Sequence, residues 1–244
     1  MTLPHIIPGK PRGILLVCDH ASNAVPDGID LGIAPALLEK HIAIDIGSAA
    51  LTESLASTLQ APALLATLSR LVTDLNRPTD HPGLIPLSSD GHAIPGNATA
   101  DRTDRVARFH APYHDALAAL IVETQPVLVA AIHSFTPRLE QGDGGPRPWE
   151  IGILSNTDRR AADLALPLLA AQGLVTGDNE PYSGQLLNAT LDRHGEDNGI
   201  ASLSIEIRND LIADPAGVRR WTAILAPILR DISNRLASGD LPTQ

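Results

Sequence analysis

Short, wholly apolar runs alternate along this chain with longer amphipathic ones. Gly13 to Cys18 (GILLVC) reads as a buried strand, and Pro126 to Ile132 (PVLVAAI) as a second. Pro62 to Thr67, Leu71 to Leu75, Glu150 to Leu154, Gly173 to Gly177 and Ala201 to Ile207 are further strand patterns. Between them, Pro35 to Leu59 reads as one or two helices, with Pro35 in a first turn. Thr103 to Thr124 reads as a long helix that kinks or restarts at Pro112. Asp158 to Gln172 and Asp214 to Leu236 complete the helices, the last with Asp214 as N-cap and Pro215 at the first helical position.

Strands apolar throughout, separated by helices, predict an α/β fold with a mostly parallel sheet covered on both faces. No repeat, linker or low-complexity tract divides the chain, so residues 1–244 are expected to form a single domain. One long irregular stretch, Pro78 to Ala100, has the length of a lid or binding loop.

Composition narrows the function. The formal net charge is -10, from 18 basic and 28 acidic residues. That balance disfavours nucleic-acid and anionic-membrane partners, which require a basic face. A small anionic substrate held by local arginines stays open. Aromatics are only 2% of the chain, so the core must be built from Leu, Ile, Val and Ala. Cys18 is the single cysteine, which excludes an intramolecular disulfide framework. No secretory signal or apolar membrane span is readable, and a cytoplasmic setting is expected.

The ends of the apolar runs carry the chemistry. GILLVC leads into Asp19 and His20, LVTDL into Asn76 and Arg77, PVLVAAI into His133 and Ser134, and LSI into Glu206. Sites in open α/β sheets form at the carboxyl ends of strands. Two histidines and an acidic third ligand leave a fourth position on zinc for water. Glu206 is placed to act as a carboxylate base, and Arg77 offers a planar fork for a substrate carboxylate. Glu206 and Arg208, two apart on a strand, point to one face. The sum of these roles is metal-assisted hydrolysis of an amide in an N-acyl amino acid.

The chain resembles the N-formylglutamate amidohydrolase family and, more distantly, zinc carboxypeptidases and aspartoacylase-type deacylases. The matching segments are Cys18 to Pro26 (CDHASNAVP), Ser69 to Pro78 (SRLVTDLNRP), Pro112-Tyr113-His114, His133-Ser134-Phe135 and Ser204 to Arg208. The resemblance implies a zinc-exopeptidase-like three-layer sandwich. It also implies His20 and His133 as metal histidines, Glu206 as base and Asn76 with Arg77 as the carboxylate clamp. Where that superfamily has His-x-x-Glu, this chain has His20-x-x-Asn23, and an amide oxygen is a poor zinc ligand. Asp45, a lone acid in an apolar run, is the candidate third ligand; Asp19 is the alternative.

Other readings accompany these. Glu206 is also compatible with a structural ion pair, Arg77 with a salt bridge to Asp74, and Asp45 with a helix cap. Arg208 suits either orienting Glu206 or binding substrate. Arg70, His114 and Tyr182 are further candidate substrate contacts. His110 and His114 have the i, i+4 spacing of a helical metal pair, with Pro112 between them. Cleavage of a larger amide, and a metal-free binding protein on the same scaffold, are the competing functions.

Overall fold

The computed structural model describes residues 3–141 and 145–241. Its centre is a seven-stranded sheet. In chain order the strands are β1 (His5–Ile7), β2 (Ile14–Cys18), β3 (Ala63–Leu65), then β6 (Leu128–Phe135), β7 (Ile151–Leu154), β8 (Thr176–Asp178) and β9 (Ala201–Arg208). A separate two-residue hairpin is made by β4 (Ser88–Ser89) and β5 (His92–Ala93). The sheet order is β1-β3-β2-β6-β9-β7-β8. β3, β2, β6 and β9 run parallel, while β1 and β7 pair antiparallel to β3 and β9.

Alternate residues of each strand point to opposite faces, and the core divides accordingly. Leu16, Ala130, Ile132, Leu203 and Ile205 pack against helices α1 (Ser48–Leu59), α4 (Arg160–Ala170) and α6 (Pro215–Ser238). Leu15, Val17, Val129 and Ala131 pack on the other side against Tyr113 and Leu117 of α3 (Ala111–Thr124) and Leu191 of α5 (Ala189–His194). The result is three layers, helix, sheet and helix, around a strand set apolar on both faces. No helix of the described residues is long and apolar enough to cross a membrane.

Most predicted elements appear within a few residues. Asp214 caps α6 by accepting from the Gly217 amide, with Pro215 in the first turn. The Pro112 restart is real: the short α2 (Arg102–Arg105) runs into one wide π-type turn, Val106–His110, before α3 begins. Proline lacks the amide proton that a regular ladder would need there. Pro35–Glu39 is only one 3-10 turn, and the regular helix of that region starts at Ser48.

Leu71 to Leu75 is not a strand. The segment is buried, but its carbonyls are met by side chains instead of a ladder. Asn97 Nδ2 donates to Leu71 O, Arg105 Nη1 to Val72 O and His114 Nε2 to Leu75 O. Buried backbone needs partners, yet an apolar run does not say which kind. The strand expected at Gly173 to Gly177 begins later, at Thr176, because Gly173, with φ of 74°, still closes the end of α4.

Candidate active site

Parallel pairing places the central groups. β6 and β9 align His133 opposite Glu206, both on the face that packs α3. β2 ends one residue before Asp19, and His20 follows in a turn. The His20 carbonyl accepts from the Asp45 amide at 3.1 Å, which brings the start of α1 to the same strand ends. Gly47 makes that turn with φ of 83°. A Cβ there would also lie 2.3 Å from the Ile212 carbonyl oxygen, so glycine is needed on both counts.

Asp45 does not cap α1. Its Oδ2 lies 3.2 Å from His20 Nδ1 and 2.9 Å from His133 Nδ1, and accepts from the Ser134 amide at 3.3 Å. Each ring is backed on its far side by a second acid. His20 Nε2 is 2.8 Å from Asp74 Oδ1, and His133 Nε2 is 3.4 Å from Asp19 Oδ2, an ion-pair distance without hydrogen-bond alignment. Asp19 Oδ1 accepts from Tyr113 and Thr190 hydroxyls. Arg70 spans the two aspartates, with Nη1 3.1 Å from Asp45 and Nη2 2.7 Å from Asp74. Glu206 is buried beside this network, and its Oε2 has no hydrogen-bond partner.

The charges follow from this packing. Burial pushes the Glu206 carboxyl up to about 7; the His133 charge opposes the rise and Asp45 adds to it. Burial also disfavours the Asp45 anion, but His20, His133 and Arg70 outweigh it and hold the group well below the usual carboxylate range. Burial pushes both histidines toward neutrality. For His20, Asp74 and Asp45 overcome burial and the Arg70 charge; for His133, Asp19 and Asp45 overcome burial. Both rings end up more basic than free imidazole.

A cavity of about 450 Å³ opens over the cluster. His20, Asp45, His133 and Glu206 form its floor, and Arg70, Asn76, Arg77 and Tyr182 contribute to its walls. His81, Gly83, Pro86, Ser89 and Asp90, from the long stretch expected to form a lid, line it as well. Arg77 donates from Nη1 to its neighbour's carbonyl, Asn76 O, and among the described residues no carboxylate lies within ion-pair distance of it. The Asn76 amide is occupied: it donates to Leu187 O and accepts from the Thr190 amide. Tyr182 OH accepts from Arg147 Nη1 at 2.9 Å.

A family model described as N-formylglutamate amidohydrolase matches residues 12–213. The chain belongs to the N-formylglutamate amidohydrolase family. A gene product of Agrobacterium tumefaciens of known crystal structure is 33% identical, with 97% of each chain covered and a TM-score of 0.91. The N-formylglutamate amidohydrolase of Ralstonia eutropha shares the fold at 20% identity and a TM-score of 0.72, over 98% of this chain and 100% of that one. An aspartoacylase family protein from Mesorhizobium loti superposes only loosely, with a TM-score of 0.40, 15% identity, and coverage of 91% and 59%. No curated protein sequence matches the chain significantly.

In this amidohydrolase family member, His20, Asp45 and His133 are the residues that could hold a metal. Their donor atoms all lie within 4.8 Å of one another and all three side chains are buried. The residues fit a divalent ion. Two imidazoles and a carboxylate form a donor set suited to zinc. The acids behind the rings, Asp74 and Asp19, are the arrangement that fixes metal-binding imidazoles. An ion held by these residues would compete with the protons that the two rings share with Asp45. Asn23 is turned away, its Nδ2 donating to Glu39.

Three other expected site residues lie differently from the cavity floor. Arg208 pairs with Asp210 through Nε at 2.8 Å. Arg70 is taken up by the two aspartates. His114 sits behind the wall, between Leu75 O and His194. Asp74, expected at most as a salt-bridge partner of Arg77, pairs with His20 and Arg70 instead. It carries the same signal as Asp45, an acid inside an apolar run.

Proposed function

We propose that this protein is a metal-dependent hydrolase cleaving the amide of an N-acyl amino acid, the acyl group being formyl as in N-formylglutamate. The observation that carries the reading is the buried, unpartnered Glu206 carboxylate beside the His20–Asp45–His133 group and at the floor of a cavity. His20, His133 and Asp45 would hold Zn2+ or another divalent ion. When bound, such an ion supplies positive charge that polarises the amide carbonyl and acidifies water.

Glu206 takes the proton from the attacking water and delivers it to the amide nitrogen as the C–N bond breaks, releasing formate and the free amino acid. A carboxyl held near 7 is suited to both transfers. Arg77 reads the substrate carboxylate. Asn76 acts at one remove, by tying the Leu187 to Thr190 segment to the Arg77 turn. Arg70 holds Asp45 and Asp74 in place, and Tyr182 is free to donate its hydroxyl proton into the cavity. Arg208 and His114 support the fold around the site. The segment from Pro78 to Ala100 serves as a lid over a single catalytic domain.

Cleavage of a larger amide is the second reading. It is favoured by the cavity volume, since clefts of about 300–1,000 Å³ accept drug-sized ligands. Metal analysis of the purified protein, followed by hydrolysis assays on N-formyl and larger N-acyl amino acids, tests both. Near-stoichiometric divalent metal and metal-dependent release of formate are expected. Full hydrolysis by both His20→Ala and Glu206→Gln would falsify the mechanism.

A further inference from the structure

The charges on the cavity wall bear on which amino acid the site takes. N-formylglutamate presents two carboxylates once its amide faces the metal group. The wall offers few cations to meet them. Arg70 is bound by Asp45 and Asp74. His41 Nε2 lies 3.0 Å from Asp90 Oδ2. His20 and His133 belong to the metal group. His81 Nδ1 accepts from the Gly83 amide, so that nitrogen carries no proton. Arg77 is left as the one guanidinium on the wall without a carboxylate partner among the described residues.

Arg147 touches two lining residues, Thr136 and Tyr182, but does not itself line the cavity. It stacks behind Tyr182, 5.0 Å over the ring, and donates to Tyr182 OH and Thr136 O. Residues 1–2, 142–144 and 242–244 contain no lysine or arginine that could supply another. The rest of the wall is apolar, with Ile42, Leu71, Phe135, Leu139, Leu154 and Leu187, neutral and polar, with Ser89, Ser134, Thr136, Gln141 and Tyr182, or itself acidic, with Asp90, and none of it is cationic. A second carboxylate placed there loses water without gaining a counter-charge. An apolar side chain loses nothing by the same move and gains contact.

We infer that the preferred substrate is the N-acyl derivative of a neutral, apolar amino acid: Arg77 reads its single carboxylate and the Ile42–Leu71–Leu139–Leu187 wall takes its side chain. The inference rests on the amidohydrolase reading above but concerns the amino-acid half of the substrate only.

The test compares N-formyl-L-leucine, N-formyl-L-glutamine and N-formyl-L-glutamate with the zinc-supplied full chain. Glutamine and glutamate differ in charge at constant shape. The leucine and glutamine compounds should exceed glutamate in kcat/KM by about 10-fold or more. Leu139→Arg, which adds a cation to the wall, should raise kcat/KM for glutamate selectively. A wild-type kcat/KM for glutamate equal to or above that for glutamine overturns the inference. Calorimetric binding to Glu206→Gln separates it from the reaction itself. If no compound is hydrolysed but the leucine compound binds more tightly than glutamate, and Arg77→Ala abolishes that binding, the preference stands and the proposed reaction falls. Equal or tighter binding of glutamate, or no binding of any of the three, overturns the preference.

Discussion

Two groups of buried histidines stand on the same side of the sheet, and they behave in opposite ways. At the cavity floor, every ring nitrogen of His20 and His133 faces a carboxylate. Behind the wall, His110, His114 and His194 face carbonyls and one another. His110 Nε2 donates to Arg77 O and His114 Nε2 to Leu75 O. His114 Nδ1 therefore carries no proton and accepts from His194 Nε2 at 2.9 Å. Burial pushes His114 down to about 3 and His194 down to about 4, while His20 and His133 are raised. Depth is the same in both groups. What differs is whether acids stand within bonding distance: they fix both rings of the floor pair in place, whereas the trio behind the wall is tied only to carbonyls and to itself. The trio is a neutral brace between α3, α5 and the Leu75 to Arg77 turn.

The largest effect expected from separating the two is catalytic. Glu206→Gln should lower kcat for N-formyl amino acid hydrolysis by on the order of 10²–10⁴-fold, with metal content unchanged by elemental analysis. Asp45→Ala should lose the metal. In the metal-free protein it should also cost up to about 3–5 kcal/mol in urea denaturation, because His20, His133 and Arg70 each lose one of their two carboxylate partners, only Asp74 and Asp19 remaining. His114→Ala should cost about 1–3 kcal/mol, since it strands the His194 donor and leaves the Leu75 carbonyl only the long contact from the Thr190 hydroxyl, yet leave metal content intact. Loss of metal from His114→Ala would show that the two groups are one site.

The last effect is read as a pH slope. His114 has a folded value of about 3, below its ordinary 6.5, so the unfolded chain binds the extra proton first. Its contribution to stability is complete above about 6.5 and falls as the pH drops toward 3, by up to about 1.4 kcal/mol per pH unit, with His194 acting in the same direction. Replacing His114 with Gln should flatten that part of the stability profile. An unchanged slope would place the acid-sensitive group elsewhere.

How far the site was legible depended on contrast. His20, Asp45, His133 and Glu206 stand out because each is a titratable group beside or inside an apolar run, and the fold brings them together. Asp74 sends the same signal but lies in a segment that reads as a strand. That reading failed because Asn97, Arg105 and His114, all distant in sequence, satisfy its carbonyls. Arg70 looked like a substrate arginine because no local pattern announces two aspartates, one of them from a separate turn. The parallel core was readable from continuous apolar strands. The 3-10 and π-type turns were not, since they depend on how the chain enters and leaves a helix.

One consequence of the β6–β9 pairing concerns how such a site can be altered. His133 and Glu206 are neighbours across a parallel ladder, so their spacing is set near the interstrand distance of about 4.8 Å by main-chain hydrogen bonds. The cavity walls come from other segments: the Arg77 turn, the stretch around Ser89 and Asp90, the Leu139 loop and the Tyr182 loop. The floor residues and the cavity walls are therefore carried by separate parts of the backbone. Loops can be exchanged, lengthened or recharged while Glu206 keeps its distance from His133.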